Sequence, residues 1–568
     1  MRLGFLTFTA MALCIAGPAA VADSTQEAAD AAASAALLQN PRGCGRVGSA
    51  LDAAPEAQMV MVPGFGDAVW PVDTLDPEAQ AWFDHGVRLR WAFEHKEAVR
   101  AFRRARSIDP SCAMCAWGEA WAIGPNLNGG GNDEESIRAG LQLARQARRE
   151  ARGATPLQRQ MIDALIQRYS GAKASRGLRF ARAMDRIVRR HPDDPMIAAT
   201  AADAWMIQAD EWFDDEGKPQ DQGITRAMTI LETSLAGSPD DPGTIHLYIH
   251  LTEWSDDPHK AIPYGERLAR LAPSASHLVH MPSHTFYRVG RYRDAMRSNV
   301  GAVALDKRYN ELAAPPGGIT GMPLHAHNIH FGMGGALMAG GAEDGLALAA
   351  GFLATYPDIP SGNLWRQLMA NDAYAIYGRF GTPEQVAALP QPGEDKPLQR
   401  ANWHYGRGEA AATARNSRAV RAEAEAIRAI REGEGLTGPQ AKDMKDFLEV
   451  SQRVLEGRAA MLEDNASAAV AAFSRAAEVQ GQNQEGGDPP IIWFPTRRSL
   501  AAAMLANGDA SAAKAKIEEL LIDWPMDPYS YFVLAEAEAA LGNTVAAEAA
   551  RAQARVEWIG GAMTLDLA

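Results

Sequence analysis

Cysteine is scarce, with four in 568 residues, which excludes a disulfide-built scaffold. Positive charge is in deficit as well. Lys and Arg number 56 against 70 Asp and Glu, a formal net charge of −14, so the chain has no general attraction for phosphate backbones and nucleic acid is not an expected partner. Beyond the N-terminal stretch no apolar run approaches the roughly 18 residues that would suggest a membrane span. The glycine-rich stretch Gly124 to Asp133 has no Gly-Lys-Ser/Thr continuation and no preceding strand, and no Rossmann fingerprint occurs, so no nucleotide cofactor is expected. Gly-x-Ser-x-Gly, the kinase motif set, His-Glu-x-x-His and EF-hand loops are absent too, leaving ordinary hydrolase, kinase and dehydrogenase readings without support. What is present is a folded composition, 47% apolar and 22% charged, in a chain too long for one compact core.

The N-terminus reads as an export signal. Arg2 precedes an apolar run from Leu3 to Ala16, and Ala20-Val21-Ala22 supplies a small-x-small cleavage pattern before Asp23. Residues 1–22 are therefore expected to be a signal peptide and the mature protein to be exported, periplasmic or secreted. Residues 23–74, rich in Ala, Pro and Gly and without helical period, are expected to form a loose leader.

A period of 34 residues sets the fold. Ala79 to Cys112 carries Trp82, Gly86, Ala98, Phe102, Ala105 and Pro110 at repeat positions 4, 8, 20, 24, 27 and 32, where two antiparallel helices must touch. Further copies run from Ser276 to Tyr309 and from Val450 to Gly481, and others lie near Gly508-Asp509 and Gly542. This pattern resembles the tetratricopeptide repeat. The resemblance implies an all-α solenoid, a right-handed superhelix of stacked helix pairs whose first helices line a concave groove. Asp-Pro steps at Asp109, Asp194, Asp241, Asp257 and Asp527 punctuate the helices, and eight to ten pairs are expected over residues 75–558. The solenoid divides at a Pro/Gly loop, residues 313–323, into parts spanning 75–312 and 324–560.

Histidines follow the same period. Thirteen in the chain predict about two in an 85-residue window, yet residues 246–330 hold nine. His246 and His280 are 34 apart, as are His250 and His284, and each pair is spaced by four, which places both imidazoles on one helical face. His327 and His330 follow one period plus the length of the 313–323 loop later. Glu253 and His277 lie within reach of the same face. Packed helices sit about 8–10 Å apart, so rings from adjacent helices can converge. The expected metal ligands are His246, His250, Glu253, His277, His280, His284, His327 and His330. Their nitrogen-rich composition favours copper or zinc and admits iron. Pro282 between His280 and His284 either kinks a helix or begins one. His85, His95, His191 and His404 are isolated and carry no assignment.

Cys112-Ala113-Met114-Cys115 is the second constellation. It admits a disulfide, a redox pair, or a soft metal site with the Met114 sulfur; Ala116 in place of His excludes haem attachment. Taken together, Cys112–Gly118 with Gly124–Asn126, His280-Met281-Pro282-Ser283-His284 and His327-Asn328-Ile329-His330 resemble the Cys-x-Met-Cys-x-Trp-Gly, His-Met-Pro-Ser-His and His-Asn-x-His motifs of a subgroup of large exported bacterial tetratricopeptide proteins. The resemblance spans most of residues 80–560 and implies the repeat fold, without bringing an activity. Two functions follow from the residues: a metal-binding protein or metalloenzyme of the cell envelope, or an envelope scaffold that binds a peptide or protein partner in its groove without metal.

Overall fold

Asp-Pro punctuation builds the helix starts. In the computed structural model, which describes Ala50, residues 59–483, Gly487 and residues 489–568, Asp194, Asp241 and Asp527 are N-caps. Their carboxylates accept from Ile197 N at 3.1 Å, Thr244 N at 2.7 Å and Ser530 N at 3.2 Å, and a proline occupies the first helical turn that follows. Asp109 instead ends the helix His95–Ile108. The expected signal segment and Cys44 lie outside the described residues.

Antiparallel hairpins stack in chain order. Pro77–Trp91 pairs with His95–Ile108, Ala113–Ile123 with Glu134–Glu150, Pro156–Tyr169 with Lys173–Val188, Pro195–Gln208 with Gln222–Gly237, and Pro242–Thr252 with Ile262–Leu271. The sixth hairpin sets the broken helix Ser276–His280 and Pro282–Arg288 against Tyr292–Ala313, and the seventh joins His325–Ala339 to Ala342–Thr355. Leu364–Phe380 follows with a second helix cut to Pro383–Ala387; then come Pro397–Thr413 with Ser417–Glu432, Ala441–Leu462 with Ala466–Asn483, Thr496–Ala506 with Ala510–Asp523, and Pro528–Ala540 with Thr544–Glu557. The hairpins outnumber the eight to ten expected, because several lack the signature residues and were not separable by pattern alone. The fold is an all-α solenoid.

The signature residues act through close packing. A Cβ on Gly86 would lie 2.7 Å from Phe102, and one on Gly118 would lie 2.4 Å from the same ring, so one phenylalanine wedges between two helices that both need glycine.

The solenoid closes on itself twice. The fifth and sixth hairpins return to the first and the segment before it: a Cβ on Gly243 would sit 2.8 Å from the Trp91 indole, Ser274 N donates to Gly64 O at 2.8 Å, and Tyr309 Oη donates to Glu97 at 3.3 Å. The last hairpins return to the sixth and seventh: Tyr292 Oη donates to Pro525 O at 3.2 Å, Arg293 N to Glu557 at 3.0 Å, and Ile559 N to Ala339 O at 2.8 Å. Two rings therefore share the sixth hairpin, residues 276–313. Where a groove is expected, the helices Pro242–Thr252, Ser276–His280, Pro282–Arg288 and His325–Ala339 are buried. Residues 59–74 contain no helix but are pinned within the first ring, with Ala68 O accepting from Arg88 Nε at 3.0 Å and Pro71 O from Gln158 Nε2 at 3.0 Å. No helix among the described residues is long and apolar enough to cross a membrane.

Candidate metal centre

The histidine-bearing helices meet where the rings join. Pro242–Thr252 carries His246 and His250, and it is buried on every side: Gly243 through Thr252 are all shielded from solvent. The next pair straddles a break. Helix Ser276–His280 runs into Met281, whose φ of −51° and ψ of −38° are still helical, and Pro282 opens the segment Pro282–Arg288. Pro282 thus both interrupts the hydrogen-bond ladder and starts a helix, while His277, His280 and His284 keep one face. His327 comes from His325–Ala339.

Six of these rings converge. The ring nitrogens of His246, His250 and His277 form one group whose members lie within 4.8 Å of one another, and those of His280, His284 and His327 form a second. A third group, His250, Glu253 and His284, joins them. Ring centroids of His246 and His250 are 4.9 Å apart, those of His280 and His327 4.7 Å, and across the two groups His277 and His280 stack at 5.3 Å. Phe93 covers one side, 4.2 Å from His246 and parallel to His250 at 5.5 Å; Phe331 covers the other, 4.5 Å from His284.

Hydrogen bonds orient the rings. His246 Nδ1 lies 2.5 Å from the Trp91 carbonyl oxygen. Glu253 reaches two rings, with Oε2 2.5 Å from His284 Nδ1 and Oε1 3.3 Å from His250 Nδ1. His280 Nδ1 is 2.6 Å from Asn299 Oδ1, and Asn299 Nδ2 donates to Ala295 O at 2.8 Å, which fixes the amide with its oxygen toward the ring. Each of these Nδ1 atoms faces an oxygen that only accepts, so each carries the proton and the Nε2 lone pair turns inward. His280 Nε2 and His284 Nε2 then face one another at 2.9 Å. Two lone pairs at that distance repel, and a cation between or beside them removes the repulsion. His246 Nε2 and both nitrogens of His277 and His327 are buried with no hydrogen-bond partner.

Burial also sets the charge state. The imidazoles of His246, His277 and His327 are held well below the usual histidine range, first by desolvation and then by the neighbouring histidines. Neutral imidazole is the ligating form.

Two expected ligands behave differently. His330 leaves the cluster: its Nε2 approaches Asp372 Oδ2 at 3.4 Å and its ring meets Trp365. The helix His325–Ala339 is buried all round, so a three-residue step carries the side chain onto the face turned to the next hairpin. Glu253 faces the Nδ1 atoms of His250 and His284, so its carboxylate can orient both rings, and its oxygen also falls within one candidate ligand group with them. Sequence reasoning missed His95, which is buried beside Phe93 at 5.3 Å with neither nitrogen bonded, and Asn299. His95 sits in the first hairpin, and only ring closure brings it near.

Cys112 and Cys115 form a disulfide at the start of helix Ala113–Ile123, both fully buried, and Met114 is buried beside them. The backbone N–H groups of Ala113 and Met114 donate to Asp73, so this element fastens the first ring.

No protein-family model and no curated protein matches this sequence. Among solved structures, a human IFIT1 dimer with m7Gppp-AAAA is similar at 11% identity and a TM-score of 0.29, covering 85% of this chain and 90% of that one. Yeast Tom70 gives 12% identity and a TM-score of 0.26 over 85% of this chain and 90% of its own. The TPR domain of P58(IPK) gives 12% and 0.23 over 82% and 99%. At these values the likeness adds nothing about function.

Proposed function

We propose that this is an exported metal-binding protein of the cell envelope, in which a closed helical solenoid holds a transition-metal centre at the junction of its two rings. One observation carries the reading. Four histidines have Nδ1 placed on oxygen acceptors, two of them on one carboxylate, which directs Nε2 lone pairs into a buried space shared with two further imidazoles. Structural histidines in a core do not need convergent, tautomer-fixed lone pairs; metal ligands do. Copper and zinc suit a nitrogen-rich donor set, with iron as the third choice.

Elemental analysis of the purified full chain tests this, with His280→Ala plus His284→Ala as the control. Stoichiometric metal in the wild type that is lost from the variant supports the proposal, and equal trace metal in both sinks it.

The second reading is a scaffold that grips a peptide. It is favoured by the way the second ring holds backbone carbonyls of residues 566–568: Arg458 donates to Asp566 O at 3.0 Å, Arg379 to Leu567 O at 3.0 Å, and Ser499 Oγ to Ala568 O. A surface that holds backbone carbonyls of its own chain this way suits those of a partner's segment equally well.

A further inference from the structure

We propose that the centre is binuclear: two transition-metal ions, each held by three imidazoles, with Glu253 as the outer anion shared between them. The inference rests on the metal-binding reading above and deepens it.

The donor set itself divides in two. His246, His250 and His277 form one triad, His280, His284 and His327 the other, and no donor belongs to both. Each triad is built from an i,i+4 pair on one helical face, the second pair straddling the break at Met281-Pro282, and a third ring from outside that pair, and the two pairs are one 34-residue period apart. A metal ion needs every donor nitrogen at about 2.0–2.1 Å. Tetrahedral geometry then sets those nitrogens about 3.3 Å from one another; the nitrogens of each triad lie within 4.8 Å of one another, and the six do not form a single group. Each ion keeps an open fourth position, as an ion held by three protein ligands does. The triads nonetheless adjoin, since His250 and His284 centroids lie 5.4 Å apart and both rings bond to the same carboxylate.

Charge narrows the class of ion. Neutral imidazoles bring none, and Glu253 supplies one negative charge. Two cuprous ions leave a net +1 against it, whereas two zinc ions leave +3 in a site walled by Phe93 and Phe331. Burial penalises the larger uncompensated charge, so a pair of monovalent copper ions fits best and zinc requires bound anions to balance it.

The test is metal stoichiometry in the full chain, stripped of metal and titrated with Cu(I) under reducing conditions against a chelator of known affinity. The wild type should take up two equivalents. His246→Gln plus His277→Gln should retain one, and His327→Gln plus His280→Gln should retain one. A wild-type capacity of one, abolished by either double variant, overturns the binuclear inference and leaves the metal-binding reading standing; no uptake of Cu(I) overturns the copper pair, and no uptake of zinc or iron in parallel titrations overturns both. Copper-edge X-ray absorption on the loaded wild type needs no variant. A shell of three nitrogens per copper supports a triad at each ion, and a larger nitrogen shell overturns that division.

Discussion

Replacing Glu253 with glutamine separates an orienting carboxylate from a ligating one. Glu253 is 3% exposed, and its two oxygens sit 2.5 Å from His284 Nδ1 and 3.3 Å from His250 Nδ1. Glutamine has the same shape but a single acceptor oxygen. The shorter bond keeps that oxygen on His284, and the amide NH2 then points at His250 Nδ1. Donor facing donor is unfavourable, so the His250 proton moves to Nε2 and the ring leaves its triad. Losing an outer partner of a ligating histidine typically lowers metal affinity 10–100-fold, about 1.4–2.7 kcal/mol. In a chelator competition titration, Glu253→Gln should weaken one equivalent by that factor and leave the other at wild-type affinity. Unchanged affinity for both would refute the orienting role. Loss of all metal would show that the carboxylate is itself a ligand.

Glu94→Gln should change how stability depends on pH. Burial, then Asp306 and Glu97, push the Glu94 carboxyl up to about 8. The folded state therefore holds this proton more tightly than the unfolded chain does. Its contribution is complete below about pH 4.5 and is lost as pH rises toward 8, at ~1.4 kcal/mol per unit. Urea midpoints of the glutamine variant should fall less between pH 5 and 8 than those of wild type; a parallel fall would contradict the assignment. Phe102→Ala should cost about 3–5 kcal/mol by denaturant titration, since the ring is fully buried between two hairpins. Gly118→Ala should cost about 1–3 kcal/mol through overpacking against the same ring, and much less when combined with Phe102→Leu. Arg458→Met should cost about 3–5 kcal/mol, because Glu409, fully buried, loses its 2.7 Å cationic partner and is left with Arg379 at 3.4 Å and the Tyr405 hydroxyl. A midpoint within experimental error of wild type would show that Glu409 is otherwise satisfied.

Much of this was legible in residues, for physical reasons. Repeat period and helix punctuation are local, so Trp82, Gly86 and Phe102 announced a helical hairpin, and three Asp-Pro steps announced N-caps. Histidine pairs inherit that period, so His246, His250, His280 and His284 could be placed on adjacent helices before any coordinates. His330 could not be excluded, since a helix buried on all sides gives no amphipathic cue to where each side chain points. His95 and Asn299 were invisible for another reason. Their place depends on curvature that accumulates over several hairpins, each adding a small rotation no single repeat encodes. The same accumulation turned an expected open groove into two closed rings.

Closure changes what a terminal repeat is. In a linear array the ends fray first, and trimming a unit removes one neighbour's support. Here the outermost units are keystones, because Pro525, Glu557 and Ile559 brace residues 292, 293 and 339, while Gly64 and Trp91 brace residues 274 and 246. Taking out either abutment would loosen the central arch and the imidazoles within it, so melting should be all-or-none where an unbraced spiral would unzip.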